Sequence, residues 1–240
     1  VLFAFPRQAA VNRVIPKTKL YEHGDANAAL RGLFVDQVTK VTLTHVLNHD
    51  STNLPSAGGI DEIDIFRIDA RLSRPQDLDQ RVLRCCDRVI PRPTLFEIHA
   101  DSGVQLTAQL KFAQAKLPPS AAASGQDPTR TKVSTGTTVA SYLWSPVIPT
   151  EAPRQPLPLV TTLLALYERL LESLLDLERH AQESITDTVR RRHDLGRLDQ
   201  RIATLRKRMN AELQFNRRVD LNAELRDLES QRHSFIAKPT

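Results

Sequence analysis

Apolar positions in the last third of the chain recur at three- and four-residue steps. Leu159, Leu163, Leu166, Leu170, Leu174 and Leu177 form one row, broadened by Val160, Leu164, Tyr167, Leu171 and Leu175. That is the period of a helix with a wide buried face. Prolines at 146, 149, 153, 156 and 158, with none again until 239, predict a linker over 146–158 and a helix starting after it, because proline removes a backbone donor and crowds the preceding turn. Leu198, Ile202, Leu205 and Met209 make a second row at coiled-coil spacing, and Leu221, Leu225, Leu228 and Phe235 a third, out of phase with the second. Extending the second row would put Glu212 and Asn216 in a dry seam, which polar groups without partners oppose. The helix is therefore expected to bend or stop within 212–222, and 159–240 to form a helical hairpin or coiled-coil arm.

The first 145 residues alternate differently. Ala29, Leu30, Leu33, Phe34 and Val38 predict a helix over 26–40 with Asp25 as its N-cap. β-rich runs predict strands over 41–47 and 60–70, and the apolar face Leu78, Val82, Leu83, Cys86 and Val89 predicts a helix over 75–89. Strands over 94–100 and 104–112 flank Asp101-Ser102-Gly103, the chemistry of a tight hairpin. The order helix, two strands, helix, hairpin predicts an α+β domain with a mixed sheet over 1–145. Residues 117–136 lack periodicity and are expected to form an exposed loop.

Composition adds few constraints. With 240 residues, 40% of them hydrophobic, and a net charge of +5, the chain can bury a core and leans toward acidic partners. Charge is sorted along the arm: three Arg against seven Asp/Glu over 151–189, then ten Lys/Arg against three over 190–218. An acidic segment folded onto a basic one accounts for this. The alternative is a phosphate-facing stripe of Arg190, Arg191, Arg192, Arg206, Lys207, Arg208, Arg217 and Arg218. Cys85 and Cys86 are the two cysteines, and adjacent cysteines in a helix have the wrong geometry to bridge. The scattered histidines give no metal motif, and no nucleotide cradle or nucleophile elbow is present, so no metal and no cofactor is expected. No apolar run approaches a membrane span and no basic-then-apolar leader is seen, so a cytoplasmic protein is expected. One enzymatic arrangement fits the spacing: Glu97 on one hairpin strand and Gln109-Leu110-Lys111 on the other, as in a degenerate Mg-dependent nuclease core.

Several blocks carry a family resemblance. Ile15-Pro16-Lys17, Glu62-Ile63-Asp64-Ile65-Phe66, Ile90-Pro91-Arg92-Pro93-Thr94-Leu95-Phe96, Leu166-Tyr167-Glu168, and above all Glu212-Leu213-Gln214-Phe215-Asn216 with Val219 and Asn222 resemble the bacterial domain-of-unknown-function family numbered 4391. The resemblance implies an accessory gene beside a helicase-like ATPase and a DNA methyltransferase in restriction or phage-defence islands. It implies no catalytic residues. The expected role is a non-catalytic adaptor in which Glu212, Gln214, Phe215, Asn216, Val219 and Asn222 bind the ATPase or methyltransferase partner. Phe215 would serve as an anchor, and the amides would satisfy backbone freed at the break. DNA contact is a second expectation. An exposed apolar seam would also suit self-association.

Overall fold

The computed structural model describes residues 1–111, 142–180, 182–212 and 214–236, without the Phe215 side chain. The expected loop at 117–136 lies outside the described residues. The chain divides into two compact units, Val1–Leu174 and Leu175–Thr240.

In the first unit the chain order is β1 (Leu2–Ala4), β2 (Ala10–Ile15), α1 (Lys17–His23), α2 (Ala28–Gln37), β3 (Val38–Asn48), the short α3 (His49–Thr52), β4 (Glu62–Ala70), α4 (Gln80–Val89), β5 (Thr94–Ala100), β6 (Gly103–Gln109), β7 (Tyr142–Trp144), β8 (Arg154–Pro156) and α5 (Leu163–Glu172). A six-stranded sheet runs β2-β3-β4-β5-β6-β7, and β1 pairs with β8 in a separate two-stranded ribbon. β4 and β5 are parallel and the other neighbours in the large sheet are antiparallel. The mixed α+β architecture expected from the sequence is present. Parallel neighbours need a crossover, and α4 supplies it.

Strand alternation sorts the core. Phe66 and Ile68 of β4 and Phe96 and Ile98 of β5 face Leu20 of α1, Phe34 of α2, and Val82, Leu83, Cys85 and Cys86 of α4. Each large apolar side chain fully buried here contributes about 1.5–3 kcal/mol. Both cysteines are buried and free. Cys85 Sγ–H donates to the Leu20 carbonyl at 3.4 Å. A Cβ on Gly24 would stand 2.3 Å from that sulfur and 2.5 Å from that carbonyl, so glycine permits the close approach of α1 to α4.

Local chemistry shifts several expected boundaries. Asn27, not Asp25, caps α2 by accepting from Leu30 N, while Asp25 takes a left-handed φ of 50°. The helix ends at Gln37 because Val38 to Asn48 continue as a strand paired along β4. Residues 75–77 form a 3-10 turn, and Asp79 starts α4 by accepting from Arg81 N. The β5–β6 turn is as expected, with Gly103 at φ 140° and the Ile148 carbonyl 2.4 Å from where a Cβ would stand. Ala10–Ile15, without β-rich alternation, forms the edge strand β2 on β3. It is almost wholly exposed, and its register on β3 shifts between Ala10 and Arg13.

The largest revision concerns the apolar row from Leu159. Leu159 is fully exposed, whereas Leu163, Leu166, Tyr167, Leu170 and Leu171 are buried on α5. Thr162 caps this helix, with its hydroxyl accepting from Ala165 N at 3.1 Å, and the helix packs on β4 within the first unit. The row is thus a ten-residue helix of the α+β unit and not the first limb of an arm. Part of the expected proline linker, Arg154–Pro156, is strand β8.

The second unit is a helical hairpin of α6 (Ile185–Ala211) and α7 (Phe215–Ile236). Ser184 caps α6, its Oγ accepting from Asp187 N at 3.1 Å. Leu198, Ile202, Leu205, Leu225 and Leu228 form the buried seam, with Met209, Leu221 and Phe235 at its margins. The phase slip between the two apolar rows coincides with a break after Ala211. Glu212 turns extended there, and its Oε1 accepts from Gln214 N at 3.0 Å.

Candidate functional site

The residues of the nuclease arrangement do not meet. Glu97 lies on β5 opposite Leu106, on the face that alternation directs away from Phe96, Ile98 and α4. Lys111 follows β6, and its ammonium turns to α4, lying 2.6 Å from Asp87 Oδ1. It also donates to the Ile90 carbonyl at 2.7 Å and the Arg92 carbonyl at 3.1 Å. Gln109 presents its carbonyl to the Tyr167 hydroxyl at 2.9 Å, and the same hydroxyl accepts from Lys111 N at 3.1 Å. Glu97 and Lys111 therefore belong to two separate polar clusters.

The first cluster borders a cleft of about 390 Å³ lined by Phe3, Phe5, Thr44, His45, Glu97 and Arg154, among others. Arg154 binds Glu97 in a two-pronged pair, with both N–O distances 2.8 Å. His99 Nε2 lies 3.4 Å from Oε2 of the same carboxylate. Burial alone would raise the Glu97 carboxyl, but the hydrogen bonds and charges of Arg154 and His99 outweigh it and hold it down at about 2. Burial lowers His45, and the nearby Glu97 charge opposes that. A carboxylate committed to a guanidinium in this way has little capacity left for a metal ion or a proton. Among the described residues no group of three or more His, Cys, Asp or Glu is placed to hold a metal.

The second cluster joins α4 to the sheet. Asp87 accepts from the Tyr142 hydroxyl as well as pairing with Lys111. Burial first, then the Asp87 charge, pushes the Tyr142 phenol up. Nearby, Asp64 is 4% exposed. Its carboxyl is pushed up to about 6, first by burial and then by the charge of Glu62, against the pull of Arg92. Glu62 itself accepts from Arg92 at 2.5 Å.

On the hairpin, the expected partner-binding residues sit at the break and the first turns of α7. Gln214, Asn216, Val219 and Asn222 are exposed, Glu212 is half-buried, and the Phe215 side chain is outside the described residues. Gln214 N donates to Glu212 Oε1, so the described side-chain bond at the break is made by the acid.

The expected basic stripe divides. Arg191 is buried: its guanidinium pairs with Glu183 at 2.8 and 2.7 Å and donates to the Glu178 and Phe235 carbonyls at 2.7 and 3.1 Å. That bonding to Arg191 holds the Glu183 carboxyl down at about 2. Arg191 is thus a structural latch and not a phosphate contact. Arg190 pairs with Asp187 at 2.8 Å and Arg206 with Glu229 at 2.6 Å. Arg192, Lys207, Arg208, Arg217 and Arg218 carry no ion pair among the described residues. Two arginines absent from the expected stripe, Arg197 and Arg201, join Arg208 along a groove of about 440 Å³ beside α7. Their spacing of four and seven residues was the available signal. Consecutive residues such as 206–208 fan out at about 100° per step, whereas this spacing keeps a row on one face.

The fold and its clusters define an α+β protein carrying a helical hairpin unit, with the buried carboxylates Glu97 and Asp87 paired to Arg154 and Lys111. The chain belongs to the family described as Domain of unknown function (DUF4391), which matches residues 3–231. No curated protein and no solved structure gives a significant match. No helix among the described residues is long and apolar enough to cross a membrane.

Proposed function

We propose that the protein is a non-catalytic accessory subunit of a bacterial DNA restriction or anti-phage complex, with its hairpin tip docking a helicase-like ATPase or DNA methyltransferase of the same system. One observation carries this reading. The hairpin closes its own apolar seam yet leaves Val219 51% exposed on α7, among the exposed polar side chains Gln214, Asn216 and Asn222. An apolar side chain ringed by hydrogen-bonding groups at the end of a rod is the composition of a small interface centre. The setting is the one that the family resemblance implies, and the match over residues 3–231 places the chain in that family. The separation of Glu97 from Lys111 favours assembly over hydrolysis.

The test is co-purification with the neighbouring ATPase and methyltransferase, comparing the wild type with Val219→Asp and Asn222→Ala. Capture should fall by about tenfold or more for Val219→Asp, with the melting temperature unchanged, because a charge at an interface centre is left without a partner. Equal capture by all three proteins would overturn the reading.

A further inference from the structure

The two flanks of the hairpin seam are unlike. On one, Asp199 pairs with Arg232 and Arg206 with Glu229, both at 2.6 Å, so the charges of α6 are answered by α7. On the other, Arg197, Arg201 and Arg208 line a groove whose facing wall offers Glu224 as its one acid. None of these three arginines carries an ion pair among the described residues. Helical geometry explains the asymmetry. With Arg197 at zero, Arg201 and Arg208 lie within about 40° of it, whereas Asp199 and Arg206 lie near the opposite side. α6 carries eight Lys/Arg against three Asp, and α7 four against four. The excess positive charge therefore belongs to α6, and α7 neutralises it on one flank.

We infer that this open flank is a docking surface for the phosphodiester backbone of a nucleic acid, with Arg197, Arg201 and Arg208 as the phosphate contacts. The guanidinium fork matches phosphate oxygens two at a time. The row is about 17 Å long, over which duplex DNA exposes roughly ten phosphate charges. Thr204 and Gln200, between the arginines, add uncharged donors to the same groove. An acidic protein segment fits less well. Among the described residues of this unit the large exposed apolar side chains are Val219 and Ile236, and neither lines the groove, so a protein partner would find charge there without an anchor. No aromatic side chain is among the described residues that line the groove, so the surface is suited to backbone and not base contacts. It does not depend on the partner-docking reading, because the tip residues and the groove residues are different.

The experiment is fluorescence anisotropy on the full chain with labelled duplex and single-stranded DNA of about 30 nucleotides, titrated across salt concentrations. The triple variant Arg197→Gln, Arg201→Gln, Arg208→Gln is set against Lys207→Gln, Arg217→Gln, Arg218→Gln, which removes the same charge elsewhere on the hairpin. The groove variant should weaken binding by about tenfold or more and flatten the log–log salt slope by about 2 to 3. The matched variant should change affinity by less than about threefold. An Arg→Lys version of the groove triple, which keeps charge and removes the fork, should bind at an intermediate level. Equal losses in both Gln triples would overturn the inference, as would the absence of DNA binding by the wild type. Competition by polyglutamate as strong as that by DNA of equal charge would also overturn it, in favour of an acidic protein.

Discussion

At the scale of single residues, the buried charges make predictions that differ in sign. Glu97 is held down at about 2 in the folded chain. The stability it contributes is fully present above the unfolded carboxylate range and is lost as pH falls from about 4.5 toward 2. Arg154→Met should cost about 2 to 3 kcal/mol at pH 7, less than a fully buried pair because the Arg154 side chain is 39% exposed. The cost should shrink in denaturant titrations below pH 4, where the orphaned carboxyl takes up a proton. Asp64 runs the other way. Its carboxyl is raised to about 6, so the folded state binds its proton more tightly than the unfolded chain. The resulting penalty is absent below about pH 4 and grows to its full size above pH 6. Asp64→Asn should therefore raise the melting temperature at pH 7.5, by an amount equivalent to about 3 kcal/mol, and leave it unchanged at pH 4. For Lys111→Ala, urea unfolding should show a loss of about 3 kcal/mol, because Asp87 would be left buried without its cation. A catalytic lysine on the surface would not produce that loss.

At the scale of elements, the parts legible in the sequence were those with a strong period and a local stop signal. β4, β5 and the turn at Gly103 follow from β-rich runs and turn chemistry, and the break after Ala211 follows from two apolar rows out of phase. The elements that escaped have a tertiary cause. β2 carries exposed Val11 and Val14 and exists because β3 offers it a ladder. β1 and β8 are three-residue partners from opposite ends of the first unit. α5 looks like part of an arm in the sequence because periodicity reports that a face is buried and not against what. The same limit governed the candidate sites. Glu97 and Lys111 share a hairpin in sequence, but the end of β6 lets Lys111 turn toward α4. Arg191 reads as one of three equivalent arginines until its position beside Glu183 and the end of α7 is known. One cap gives a direct check: Ser184→Ala should destabilise α6 by about 1 kcal/mol, seen as faster amide exchange in its first turn.

At the scale of the whole molecule, the two units call for separate measurement. Arg191 ties the segment before α6 and the last turn of α7 to one guanidinium. Arg191→Met should therefore lower hydrogen-exchange protection across 185–236 while leaving β3 to β6 at wild-type protection. Uniform loss along the chain would show that the units unfold as one. The border of the large sheet has a different consequence. An open strand ordinarily invites another chain to add itself, and repeated addition grows fibrils. Here Asn12 at φ 51° and the register shift beside it spoil the straight row of backbone groups that such growth requires. Asn12→Val would favour straightening of that row, and agitated solutions of the variant should then develop thioflavin fluorescence sooner than the native chain. By that argument the left-handed asparagine guards this border against fibril growth.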